Sequence, residues 1–308
     1  EISCSLVGSE MCIRDSGSGD RICYHGMLDM FRNPKLSAAV YASQKTPRSP
    51  SDIVLEVSSG MALGDLPGGA PTACWVFTNA ESVRLYRGND YIAAFSPDRH
   101  GRFAAMPHPP IEINDFVGSL LEKYEGMDPP SAQAVAAILN DMRRCAMELS
   151  PLSKARMLSL RLSWNEVARM YCKYIGILGS PSPVYRFEAV WHGRVVGTVV
   201  REPVQSVRLE CTVHNPILTD GPTWDCAAVS LRAIDQNGNL LPYCGEAVQL
   251  RVDGPLKIIG PSVVPLRGGM AGTYLATTGE AGRAVLHCRM EGALDTDAVL
   301  TIRSRENG

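Results

Sequence analysis

Period-two alternation of apolar residues begins at Asp52, gives way near residue 111 to a helical period, and resumes at Val184. This switch and return constrains the fold most, because strand side chains repeat every two residues and helical ones about every 3.6. Residues 53–57, 74–77 and 83–86 read as strands, Arg87-Gly88-Asn89-Asp90 as a hairpin turn, and 91–95 as the returning strand. So few short strands cannot close a stable sheet alone. Residues 184–190 and 195–200, joined by a turn at His192-Gly193, offer the missing partners. The segments 52–98 and 184–202 are therefore expected to form one sandwich that buries Trp75, Phe77, Leu85 and Tyr86, with Trp191 also in the core.

The interruption has its own helical signals. Asp128-Pro129 is an N-cap followed by Pro, ahead of a stripe of Val135, Ile138, Leu139 and Met142. Ser150-Pro151 repeats the device. Ser163-x-x-Glu166 is a capping box, followed by Val167, Met170, Tyr171 and Tyr174 on one face. Gly176 and Gly179 stop that helix. An insertion over about 111–179 costs little closure entropy when its ends lie close together, and with its own apolar stripes it can fold as a satellite. Upstream, 17–44 reads as a loop and a helix, with Asn33 as N-cap and Pro34 at the first helical position. Lys45–Ser51 is a linker. Downstream, 205–303 is a further all-β unit with strand signals at sandwich spacing and a turn at Asn237-Gly238.

Composition narrows the function classes. The chain has 308 residues, 45% hydrophobic and 20% charged, which suits a folded protein. Its 30 Lys+Arg against 32 Asp+Glu leave no basic excess for binding nucleic acid. No apolar run approaches the roughly 20 residues of a membrane helix. The ten cysteines (4, 12, 23, 74, 145, 172, 211, 226, 244 and 288) and six histidines make no CxxC, HxxxH or HExxH. Neither a structural metal site nor a cofactor is expected. Scattered cysteines of this kind act as small apolar residues and fit a reducing, cytoplasmic setting.

Other motifs lead to ordinary structural roles. Trp164-Asn165-Glu166 has the Asn-Glu pair of many glycosidases, yet it opens a helix, where Glu166 serves as a cap. No Gly-x-Ser-x-Gly occurs, and Gly68-Gly69 and Gly268-Gly269 read as turns. Asp220, Asp225 and Asp235 lack the spacing of a calcium loop. Trp224, just ahead of a strand, remains open to a sugar-stacking role. Residues 1–16 show no period and resemble a translated sequencing-adaptor artefact, so they are expected to be unstructured.

SGSGDRICYHGMLDMFRNPKLSAAVYASQ resembles the end of the catalytic (β/α)8 barrel of family 2 glycoside hydrolases, in the β-galactosidase branch. Asp29-x-Phe31-Arg32-Asn33-Pro34-Lys35 is the most specific piece. The likeness continues through 76–86, 185–190 and Asp235-Gln236-Asn237-Gly238-Asn239. It implies a mainly β chain with a helical insertion: two Ig-like β-sandwiches preceded by the last helix of the barrel. The implied division is 17–50 for the barrel end and linker, 51–203 for a sandwich with the insertion, and 204–308 for a C-terminal sandwich.

The same resemblance implies a retaining β-galactosidase whose two glutamates, about 5–5.5 Å apart, lie upstream of Gly17. No catalytic residue is then expected in this chain, and the fragment alone should be inactive. The loop 20–26 would line the barrel mouth. There Tyr24 and His25 either contact a neutral sugar or merely shape the loop. β-Glucuronidases of the family carry Asn-x-Lys where Cys23-Tyr24-His25 stands, which argues against glucuronides. The implied partner is a β-galactoside, with no nucleic acid or membrane, and a homo-oligomer is compatible with the family. β-Glucuronidase and β-mannosidase are alternatives within the family. A non-catalytic Ig-like adhesion or carbohydrate-binding protein is the alternative outside it, though it leaves 17–44 and the helical insertion unexplained.

Overall fold

Helix caps and strand phases can be followed along a computed structural model that describes residues 26–61, 74–145, 148–176 and 182–304. The 1–16 segment expected to be unstructured lies outside these residues, as do Tyr24 and His25. The chain divides into two units. One is Leu36–Pro203; the other joins the residues up to Lys35 with Val204–Gly308. Within the described residues, no helix is long and apolar enough to cross a membrane.

The first unit starts with a short helix, α1 (Leu36–Ala42). Asn33 does not cap it, because the Asn33 side chain is drawn elsewhere, to Asp29 and to the carbonyl of Ala271. The linker after α1 is tied down by two amides. Gln44 exchanges hydrogen bonds with the backbone of His108 at 2.9 and 3.0 Å. Buried Asn79 accepts the Val54 amide and donates to the carbonyls of Lys45 and Asp52.

Strands β1 (Leu55–Val57), β2 (Trp75–Thr78) and β5 (Ile111–Glu112) make a small antiparallel sheet with β2 in the middle. Strands β3 (Ser82–Arg87), β4 (Asp90–Phe95), β6 (Tyr185–Trp191) and β7 (Arg194–Arg201) make a second, ordered β4-β3-β6-β7. Residues on either side of the helical insertion thus pair directly, Leu85 opposite Phe187. The β6–β7 turn uses His192 and Gly193 at φ 49° and 73°, the left-handed pair that suits a two-residue hairpin.

The phase of β2 differs from expectation. Cys74, Val76 and Thr78 are fully buried, whereas Trp75 and Phe77 are only half-buried. Tyr86 and Trp191, also expected in the core, are likewise half-buried. Apolar residues on both faces make the phase of such a strand ambiguous from sequence. Trp75 instead packs edge-on against Phe103, with ring centroids 5.8 Å apart.

Helices α2 (Leu120–Glu125), α3 (Pro129–Arg144), α4 (Pro151–Ser159) and α5 (Trp164–Tyr174) follow β5. Asp128, Ser150 and Ser163 each accept the amide three residues on, as N-caps do. The insertion is not a satellite. Val135, Ile138, Leu139, Met142, Val167, Met170, Tyr171 and Tyr174 join Val76, Leu85, Tyr185 and Phe187 in one core cluster. The reason is area: two small sheets offer little apolar surface to each other, and the helical stripes cover what remains. Arg143 is buried with them, its guanidinium 4.4 Å from the Phe116 ring centre. Burial pushes its pKa down.

The second unit is a two-sheet sandwich. One sheet runs β12 (Leu256–Ile259), β14 (Met270–Thr277), β10 (Cys226–Ile234), β8 (Val207–Val213) and β16 (Ala293–Leu294). The other runs β13 (Val263–Pro265), β11 (Ala247–Asp253), β15 (Gly282–Met290), β17 (Thr296–Ser304) and β9 (Ile217–Asp220). Inward-facing Ala227, Val229 and Leu231 of β10 meet Leu250, Leu286 and Leu300 across the interior. Apart from the parallel pairs β16–β8 and β17–β9, the ladders are antiparallel.

Candidate functional site

The segment that most resembles a catalytic barrel folds locally as a turn. Asp29 Oδ1 accepts the amides of Phe31 and Asn33, both at 2.8 Å, and Oδ2 accepts Asn33 Nδ2 at 2.8 Å. Backbone bonds from Asp29 N to Asn33 O and from Lys35 N to Met27 O close the segment into a small hairpin. Arg32 takes φ 68°, a left-handed conformation unusual for a residue with a Cβ. An aspartate and an asparagine four positions apart can satisfy this turn internally, which explains the Asp-x-x-x-Asn spacing.

The turn is then fixed to the outer face of the β10–β14 ladder. Asn33 Nδ2 donates to Ala271 O at 3.0 Å. The Phe31 ring lies over Gly272 and beside Tyr274, with centroids 5.9 Å apart. A Cβ at position 272 would overlap Phe31, so the close approach depends on glycine there. Ser230, directly opposite Gly272, donates its hydroxyl to Phe31 O at 3.5 Å and meets His214 Nε2 at 2.7 Å. The sandwich thus holds the chain immediately after Tyr24 and His25, while those two candidate sugar contacts lie outside the described residues.

The same turn occurs a second time. Asp235 Oδ1 accepts the amides of Asn237 and Asn239, and Oδ2 accepts Asn239 Nδ2. The fourth residue, Gly238, has φ 81°. Sequence comparison of 29–33 with 235–239 shows only Asp and Asn in common, so the shared structure was not evident from an internal repeat.

The other acidic candidates have structural partners. Glu166 completes the capping box, accepting from the Ser163 amide at 2.8 Å and its hydroxyl at 2.7 Å. Those bonds from Ser163 lower its pKa. A general acid in a glycosidase needs the opposite shift. Asp115 lines a depression of about 460 Å³ with Glu122 and Gln133, and accepts from the amides of Val117 and Gly118 and from Asn140. Asp225, beside exposed Trp224 in a second depression of about 370 Å³, accepts the amides of Thr219 and Cys226. Among the described residues no group of three or more His, Cys, Asp or Glu is placed to hold a metal ion.

No family model matches the chain. Over 259 residues it is 28% identical to a β-galactosidase of Thermoanaerobacterium thermosulfurigenes, covering 83% of this chain and 28% of that protein. Its fold resembles part of a β-glycosidase from Bacteroides vulgatus, with TM-score 0.55, 12% identity, and coverage of 90% of this chain and 28% of that one. It also resembles part of a β-glucuronidase from glycoside hydrolase family 2, with TM-score 0.52, 13% identity, and coverage of 92% and 23%. The chain spans less than a third of the length of each protein named here. It is similar in sequence to β-galactosidases, and it shares the fold of a portion of family 2 glycoside hydrolases.

Proposed function

We propose that the chain is the C-terminal, non-catalytic part of a retaining β-galactosidase that acts on terminal β-galactosides. The observation that carries this reading is sequence similarity to a β-galactosidase across 83% of the chain. In this reading α1 is the last helix of the catalytic barrel, both units are Ig-like sandwiches, and the two glutamates belong to strands upstream of Gly17. The hairpin at 27–35 is the base of the active-site loop, and Tyr24 and His25 contact the neutral sugar. The parent works in the cytoplasm, without a cofactor. An adhesion module would leave similarity of this extent to a glycosidase without a cause.

The test has two arms. The 308-residue chain alone should release no chromophore from a nitrophenyl β-galactoside above a buffer control. Extending the reading frame upstream should give strand–helix alternation and an Asn-Glu at a strand end. The complete product should then hydrolyse the galactoside in preference to the matching glucuronide and mannoside. Turnover by the chain alone, or a preference for glucuronide, overturns the proposal.

A further inference from the structure

The C-terminal sandwich brings together two cysteines 77 positions apart. Cys211 lies on β8 in one sheet and Cys288 on β15 in the other, and their Sγ atoms are 3.7 Å apart. Cys288 is fully buried and Cys211 half-buried. The strands are held close at this point by the chain itself. After β15 it crosses to β16, which pairs with β8, and returns to β17 beside β15. Thr296, the ladder partner of Cys288, donates its hydroxyl to the carbonyl of Leu209 at 2.7 Å, on the same strand as Cys211 and two residues before it.

We propose that Cys211 and Cys288 form a thiol–disulfide site, which closes an inter-sheet disulfide by exchange with a low-molecular-weight disulfide such as oxidised glutathione. A disulfide of about 2.05 Å requires the two sulfurs to approach by under 2 Å from a contact the fold already enforces. Only Cys211 of the pair is reachable from solvent, so it loses its proton to water and its thiolate attacks first. A Cys211–glutathione bond forms, the glutathione S–S bond breaks, and one glutathione leaves as thiolate and takes up a proton. Cys288, sealed from solvent, passes its proton to the departing glutathione sulfur as it attacks Cys211 Sγ, and the second glutathione leaves as the thiol. Two protein thiols are oxidised and one glutathione disulfide is reduced to two thiols. The Cys288 S–H donates to Cys211 sulfur, which lowers the Cys211 pKa and raises that of Cys288, consistent with this order of attack.

The full chain is equilibrated at graded ratios of reduced to oxidised glutathione, quenched with acid, alkylated under denaturing conditions and mapped by mass spectrometry. The expected product is a cross-linked pair of peptides containing Cys211 and Cys288, together with a thermal midpoint roughly 5 °C or more above that of the reduced chain. Cys288→Ser should leave Cys211 as a mixed disulfide with glutathione and no rise in midpoint. Cys211→Ser should leave Cys288 unmodified in the folded chain. The proposal is overturned if wild-type Cys211 is recovered as the mixed disulfide with Cys288 still free. It is equally overturned if both are alkylated at the most oxidising ratio, or if Cys211 cross-links as readily to exposed Cys145, Cys172 or Cys226.

Discussion

The turns Asp29–Asn33 and Asp235–Asn239 share spacing, side-chain hydrogen bonds and a left-handed fourth residue, yet they bury opposite partners. In the first, Asn33 is buried and Asp29 half-buried; in the second, Asp235 is buried and Asn239 half-buried. The cause lies in what each turn touches. The 235–239 turn reverses the chain between Ile234 and Leu240, and its Gln236 side chain accepts the amides of Gln205 and Ser206. The 29–33 turn also docks on a sheet, through Asn33 on Ala271 and Phe31 on Gly272. A local motif that satisfies its own polar groups leaves neighbouring side chains available for a second task. In the proposed parent enzyme, that task is to hold the loop carrying Tyr24 and His25.

The largest effect should come from the docking surface. Gly272→Ala forces Phe31 off the sheet and should destabilise the C-terminal unit by about 2–3 kcal/mol. Amide exchange should accelerate at Phe31 and Asn33 while Asn237 and Asn239 keep their protection. Equal loss at both turns would show that the sheet, and not the docking, had failed.

Next in size is the asparagine pair. Asn33→Ala removes the donor to the Ala271 carbonyl as well as the bond to Asp29, and should cost about 2 kcal/mol in denaturant melts. Asn239→Ala removes the side-chain bond to Asp235 and should cost about 1 kcal/mol. Matching losses would mean that the Asn33–Ala271 contact adds nothing.

Smaller still, and opposite in sign, are changes at the left-handed position. Arg32→Gly relieves a Cβ held at φ 68° and should stabilise by up to about 1 kcal/mol, partly offset by entropy of the unfolded chain. Gly238→Ala introduces that strain and should destabilise by about 1 kcal/mol, although nothing lies within 4 Å of the new methyl. The same sign for both would show that local strain does not govern these turns.

Why the 29–33 turn was hidden in the sequence is visible from its partners. Asn33-Pro34 has the form of a helix cap, and Asp29 together with Ala271, 238 positions away, draws the side chain off that role. The helices of 128–174 were legible because Asp128, Ser150 and Ser163 find their partners three residues on. The phase of β2 was not, since Trp75 and Val76 are both apolar and the core selects only one of them. The Cys211–Cys288 contact joins two sheets, and no spacing rule reaches across such a gap. Of the candidate site, the sequence supplied the family resemblance and the residues Tyr24 and His25, while the docking of the 29–33 turn on the sheet came only with the fold.

A third aspartate-centred turn extends the comparison to a solvent-exposed setting. Asp52 accepts the amides of Arg48 and Ser49 at 2.9 and 3.1 Å and pairs with Lys45 at 3.2 Å. The Arg48 amide first, and then Lys45, lower its pKa from 3.8 to about 2. A carboxylate with a lowered folded-state pKa stabilises the fold above its unfolded value, and that contribution disappears as pH falls through the folded value. Stability contributed by this turn should therefore be constant above roughly pH 5 and fade between about 4 and 2. Carbon-detected NMR of the Asp52 carboxyl should give a midpoint near 2 in the folded chain. Lys45→Ala should raise that midpoint only part of the way to 3.8, because the backbone donors remain. A full return to 3.8 would assign the whole shift to the lysine, and would separate this turn from the backbone-satisfied pair at Asp29 and Asp235.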